Sequence, residues 1–223
     1  MAAVPQSTGP EFSSQRMFMP APAAPRRVEA YVDLLNLFGL QKQAQKLALG
    51  HLALKPGESL LHAGCGNGNI TLDLKRQCPQ AEVSGIDPDV QTLKLAADRA
   101  EQAGFKVLYK KGYLQDIPDA AERHDVILCA LFLYRLRGQD RGDAFAEFQR
   151  VLKPGGRVLV VDFGTPSGGL RGWLVGRFAR HQKGIADHME LGLAEICRMG
   201  QFHSVSEVGQ AAFGLQAVRA VKK

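Results

Sequence analysis

The segment Gly64-Cys65-Gly66-Asn67-Gly68 sets three glycines between an apolar run and a stretch with helical patterning. Glycine lets the backbone approach a ligand closely, and the amides at the helix start then point at it. The next apolar run ends in Asp87. A carboxylate there can accept hydrogen bonds from both hydroxyls of a ribose. Loop and carboxylate together point to a nucleoside-bearing cofactor. The dinucleotide fingerprint needs a further glycine where this chain has Asn69, which opposes a nicotinamide cofactor.

Other reactive side chains are sparse. His181 and His188 follow a glycine-rich stretch and are candidate general bases for an oxygen acceptor. Asp162 ends an apolar run, where it reads as the cap of a turn or as a contact to the acceptor. The four cysteines, Cys65, Cys78, Cys129 and Cys197, show no C-x-x-C spacing, so no metal site is expected. Reduced thiols in a cytoplasmic protein are the simpler expectation.

The elements that must carry these residues alternate. Strands are predicted over Ser59–Ala63, Ala81–Ile86, Lys106–Lys110, Asp125–Ala130 and Arg157–Phe163, with helices over Asn69–Gln77, Asp89–Ala103 and Arg141–Leu152. This rhythm implies βαβ units and a parallel sheet. Lys153-Pro154-Gly155-Gly156 stops a helix and turns the chain into the next strand. Two helical stripes, Val28–Leu40 and Gln41–Leu52, precede the first strand. A helix over Ala186–Met199 and strands over His203–Val208 and Leu215–Val221 close the chain.

Residues 1–25, rich in Ala, Pro and Ser, read as a disordered tail, and residues 26–223 as one domain. Within it, residues 26–53 form a helical cap and residues 165–185 a lid-like insertion. In the insertion, Trp173, Leu174, Val175 and Phe178 alternate with Arg171, Arg177, Arg180 and Lys183, a pattern read as a substrate lid in preference to a membrane-surface helix. The 223 residues are 45% hydrophobic and 22% charged, which excludes collagen-like, disulfide-scaffold and wholly disordered classes. No apolar run reaches the length of a membrane span. The net charge of +6 is spread out, with no basic block and no interleaved aromatics, so no nucleic-acid partner is expected.

Leu60-Leu61-His62-Ala63-Gly64-Cys65-Gly66-Asn67-Gly68, then Gly85-Ile86-Asp87, then the Arg150–Val161 segment, resemble class I S-adenosylmethionine-dependent methyltransferases. Asp33 to Asn36, the strand end at Asp162-Phe163 and the closing pair of strands are similar to the branch that methylates quinones and phospholipids. The resemblance implies an α/β fold: a Rossmann-like seven-stranded mixed sheet with helices on both faces and an antiparallel last strand. It implies S-adenosyl-L-methionine as cofactor and a small-molecule acceptor. By it, His62, Gly64, Cys65, Gly66 and Asn67 would face the methionine moiety. Asp87 and Pro88 would lie at the ribose, and Tyr113, Leu114 and Gln115 near adenine. The strand end from Cys129 to Tyr134 would face the methyl group, with Tyr134 beside the acceptor.

Two residues depart from that family. It usually has an acidic residue where this chain has His62, and an aspartate where this chain has Tyr113. His62 supplies no fixed negative charge. These departures keep two alternatives open: a cofactor-binding enzyme that rearranges or cyclises its substrate without methyl transfer, and a non-catalytic accessory subunit with a degenerate cofactor site.

Overall fold

The computed structural model describes residues 36, 39–136, 138–165 and 188–223. The expected tail, most of the first helical stripe, nearly all of the lid-like insertion and His181 lie outside the described residues. The elements in chain order are α1 (Leu40–His51), β1 (Ser59–Ala63), α2 (Asn69–Gln77), β2 (Glu82–Asp87), α3 (Val90–Gln102) and β3 (Leu108–Lys111). They continue with β4 (His124–Ala130), a 3-10 turn (Leu133–Arg135), α4 (Gln139–Val151), β5 (Leu152–Phe163), α5 (Leu193–Met199), β6 (Ser204–Gln210) and β7 (Leu215–Val221).

One seven-stranded sheet has the order β3-β2-β1-β4-β5-β7-β6. The pairs from β3 through β5 are parallel, and β7 runs antiparallel to both β5 and β6. The order reverses between β1 and β4, and a crevice opens there at the carboxyl ends of the strands.

The central strands are buried on both faces, as a parallel sheet covered by helices requires. Alternate residues feed two apolar layers. Leu60, Val126, Leu128, Leu159 and Val161 pack with α1 and with Leu74 of α2. Leu61, Ile127, Cys129, Val158 and Val160 pack with Phe145 and Phe148 of α4 and with Ile196 of α5. Arg157 ties α1 to this sheet. Its guanidinium grips both oxygens of Glu58 at 2.8 Å and donates to the carbonyls of Leu52 and Ala53. Such bidentate pairing is geometrically specific, and the Arg157 bonds hold the Glu58 carboxyl below its ordinary value.

Two local differences from the sequence reading have plain causes. Leu152 to Phe163 is one strand: His124 pairs with Leu152 and Val126 with Arg157, so residues 153–156 bulge opposite Asp125. Lys153 anchors the bulge by donating to the Asp125 carboxylate at 2.8 Å. The helix expected over Ala186–Met199 is broken within the described residues. A helical turn at 188–191 ends at Gly192, whose φ of 76° starts α5 afresh.

His124 lies at the amino end of β4. Its Nδ1 is 3.0 Å from Ser59 Oγ and its Nε2 3.2 Å from Asp119 Oδ2. The order hydroxyl, imidazole, carboxylate is that of a hydrolytic triad. However, Ser59 and His124 are buried, and the cluster sits at the opposite end of the strands from the glycine loop, so it ties β1 to β4.

Candidate active site

At the end of β1 the chain turns sharply. The amides of Gly64 and Cys65 both donate to the Ile86 carbonyl at 2.9 Å, which pins the loop to β2. Gly64 has φ 74°, and a methyl group on its Cα would lie 2.4 Å from Phe132 Cδ2. Gly68 has φ 76°, and its methyl would meet Ala96 and the Tyr109 hydroxyl. Glycine is therefore required at both positions by conformation and by contact. Gly68 is the N-cap of α2 and supplies no side-chain cap, so the helix start opens toward the loop.

The loop borders a cleft of about 440 Å³. His62, Gly64, Cys65, Gly66, Asn67, Asp87 and Pro88 all line it. Asp87 Oδ2 accepts from the Gly66 amide at 2.9 Å, and Oδ1 from the Asp89 amide at 3.0 Å. An ionised carboxylate has about four lone-pair directions, so each oxygen keeps one for a ligand. Burial raises the Asp87 carboxyl above its ordinary value, against these two amides and the nearby Arg135 charge.

An adjoining cavity of about 260 Å³ is lined by Tyr113, Leu114 and Gln115. Pro88, Asp89, Phe132 and Leu136 border both spaces. Phe132 is the dividing wall, with its ring against Gly64. Asp89 caps α3, accepting from the Gln91 amide at 2.9 Å and the Thr92 hydroxyl at 2.6 Å.

His62 lies at the carboxyl end of β1 with its Nδ1 2.7 Å from Thr71 Oγ1 of α2. Its Nε2 has no partner among the described residues. Burial pushes its pKa down to about 3, so the ring is neutral at any ordinary pH. Where the related family usually carries a charge, this cleft has a neutral ring that can only donate or accept a hydrogen bond. His62→Asp would bury a carboxylate beside a single hydroxyl, which costs roughly 1–3 kcal/mol. Thermal melting of this variant without ligand should then fall by several degrees.

Other expected site residues stand elsewhere. Cys129 is fully buried inside β4 and lines neither cavity, while Ala130, Leu131 and Phe132 beyond it line the cleft. Tyr134 is also buried, its ring edge-on to Phe163 at 5.3 Å. Its hydroxyl accepts from Arg135 Nε at 3.2 Å, and Arg135 is the one of the two that faces the cleft. His188 is fully buried, and among the described residues neither ring nitrogen has a partner; burial and the Arg141 charge push its pKa down to about 3. It does not line the cleft.

Burial pushes the Cys65 thiol up to about 12, with the Asp87 charge adding to it. It should therefore resist alkylation by iodoacetamide at pH 8, read by intact mass, because the thiolate is the nucleophile.

Sequence reasoning missed Gln41 and Gln45 of α1 and Ile70 of α2, which line the cleft together with Leu131 and Phe132 of the strand end expected there. The two glutamines stand one helical turn apart beside buried Ala44 and Ala48, and that polar pair on an otherwise apolar face was the available signal. The backbone conformation of Leu131, at φ 53°, had no such signal, since leucine rarely adopts it.

A family model described as a methyltransferase domain matches residues 60–156. The chain is 32% identical over 158 residues to the ubiquinone/menaquinone biosynthesis C-methyltransferase of Syntrophotalea carbinolica, covering 70% of this chain and 66% of that protein. It is 29% identical over 170 residues to the demethylmenaquinone methyltransferase of Deinococcus radiodurans, covering 75% and 67%. The chain thus spans about two thirds of the length of these curated relatives. In fold it is similar to a SAM-dependent methyltransferase of Methanosarcina mazei, with TM-score 0.62 and 21% identity over 77% of this chain and 95% of the other. It is also similar to phosphoethanolamine N-methyltransferase 2 of Haemonchus contortus, solved in complex with S-adenosyl-L-methionine: TM-score 0.63, 16% identity, 80% of this chain and 52% of that one. The matched residues 60–156 contain the glycine loop and Asp87, and the chain belongs to the class I S-adenosylmethionine-dependent methyltransferases.

Proposed function

We propose that this protein transfers the sulfonium methyl of S-adenosyl-L-methionine to a small, apolar, quinone-like acceptor. The observation that carries the reading is the pair of joined cavities beside Asp87. One is bordered by a glycine loop that tolerates close approach, the other by Tyr113, Leu114 and Gln115. The residues fit the cofactor: Asp87 has lone pairs to spare for a ribose diol, and Gly64 makes room where any side chain would strike Phe132. The curated relatives named above are quinone methyltransferases, which supports the acceptor class.

In this reading Gly64 to Asn67 and His62 hold the methionine end, Asp87 and Pro88 the ribose, and Tyr113, Leu114 and Gln115 the adenine. Bound S-adenosylmethionine supplies an already activated methyl group. What remains for the chain is alignment, and such positioning can supply roughly 7–11 kcal/mol. Gln41, Gln45, Ile70 and Leu131 border the end of the cleft left for the acceptor. Arg135, held by Tyr134, offers a fixed positive charge to an oxygen that becomes anionic as the acceptor reacts. The base for an acceptor proton is assigned among Tyr134, His181 and His188. Tyr134 and His188 are buried off the cleft, and burial holds His188 against protonation, so neither reaches an acceptor there directly; His181 lies outside the described residues. Four reduced cysteines favour the cytoplasm, and no described helix is long and apolar enough to cross a membrane.

The test is turnover of methyl-labelled cofactor with a demethylated quinol. The expected result is label in an extractable organic product, with one S-adenosylhomocysteine released per methyl. Label found only in protein or nucleic acid would overturn the acceptor class. Product without S-adenosylhomocysteine would favour the rearrangement alternative, and no cofactor binding at all the accessory-subunit one.

A further inference from the structure

The corner after β4 is conformationally costly. Leu131 sits at φ 53°, in the left-handed region that a leucine avoids, and its amide donates to the Val161 carbonyl at 2.8 Å. Such strain persists only where the surroundings hold it. Here the corner places Leu131, Phe132, Arg135 and Leu136 along the cleft. The 3-10 turn over Leu133–Arg135 has no side-chain cap of its own.

The cap comes from β5. Asp162, fully buried, accepts from the Tyr134 amide with Oδ2 at 3.3 Å and from its neighbour Phe163 with Oδ1 at 2.8 Å. The amides of Leu133 and Phe132 also face the carboxylate. A charged acceptor makes the stronger amide bonds. We propose that Asp162 is a positioning residue for this site, its ionised carboxylate holding the Leu131–Arg135 corner in the form that binds cofactor.

Burial is the opposing effect: it pushes Asp162 up from 3.8 to about 7 against its amide partners. Among the described residues, the titratable groups facing it are the thiols of Cys129 on β4 and Cys197 on α5, both held protonated by burial. Near neutral pH the carboxyl therefore exchanges between an ionised form that accepts from the corner and a neutral form with less accepting capacity. Because the folded pKa is raised, folding stability falls as pH rises from 3.8 toward about 7, and is level above that. Cofactor affinity moves the other way and strengthens over the upper part of that range.

The inference rests on the proposed function. It is tested by calorimetric titration of the intact chain with S-adenosylhomocysteine at pH 6 and pH 8, wild type beside Asp162→Asn. The wild type should bind about fivefold more tightly at pH 8 than at pH 6. The variant, of the same shape but unable to ionise, should bind weakly and equally at both. Its melting temperature at pH 8 should stay within a few degrees of wild type, since it removes a buried charge; the split between affinity and stability is what a merely structural role would not produce. If Asp162→Asn fails to fold, wild-type binding unchanged between the two pH values overturns the proposal, as does a folded variant that keeps the wild-type pH dependence. A wild type that binds neither S-adenosylhomocysteine nor S-adenosylmethionine overturns the methyltransferase reading instead.

Discussion

Asp87→Ala should abolish useful cofactor binding while leaving the protein folded. Two ribose hydroxyls on a charged acceptor contribute about 1.5–3 kcal/mol each, so affinity should fall roughly 100-fold or more. The side chain also orders its own surroundings, accepting from the amides of Gly66 and Asp89. Stability should nonetheless hold. Burial raises the Asp87 carboxyl above its ordinary value, so its charge carries a folding cost that the substitution relieves. Calorimetric titration with S-adenosylhomocysteine, beside a melting curve, separates the two effects. An affinity within threefold of wild type would show that the ribose does not sit on Asp87. Asp87→Asn should recover little, because its amide nitrogen must face one of two main-chain donors.

Gly64→Ala should damage both fold and site, and Gly66→Ala much less. Both glycines have positive φ, 74° and 51°, so each substitution carries the left-handed cost of about 1–2 kcal/mol. They differ in what the new methyl meets. At Gly66 nothing lies within 4 Å, whereas at Gly64 the Phe132 ring is 2.4 Å away. Overpacking of that kind adds about 1–3 kcal/mol, and here it pushes on the wall between the two cavities. Denaturant unfolding should rank wild type above Gly66→Ala and that above Gly64→Ala. Adding Phe132→Ala to Gly64→Ala should return part of the lost stability, which a double-mutant cycle measures. Equal losses for the two glycine variants would mean that conformation alone, without the Phe132 contact, governs the loop.

The alternation of strands and helices could be read from the chain because periodicity is local: a strand repeats every two residues and a helix about every 3.6. β1, α2 and β7 lie where those periods place them. Gly64, Gly66 and Asp87 were legible for a related reason, since each sits at the end of a strand whose pattern is its own. The corner that completes the cleft is a different matter. Leu131 lies in a conformation its residue type opposes, and the carboxylate facing the turn behind it comes from Asp162, 28 positions along the chain. Gln41 and Gln45 reach the cleft because Arg157, far along in β5, holds the end of α1 to the sheet. Of the strand end expected at the reacting group, Cys129 and Tyr134 are carried inward, while Leu131 and Phe132 between them and Arg135 after them face the cleft. Which side chains meet at the carboxyl edge follows from the pairing of β1, β4 and β5. That pairing is a balance of contacts between distant segments, and no pattern within one segment encodes it.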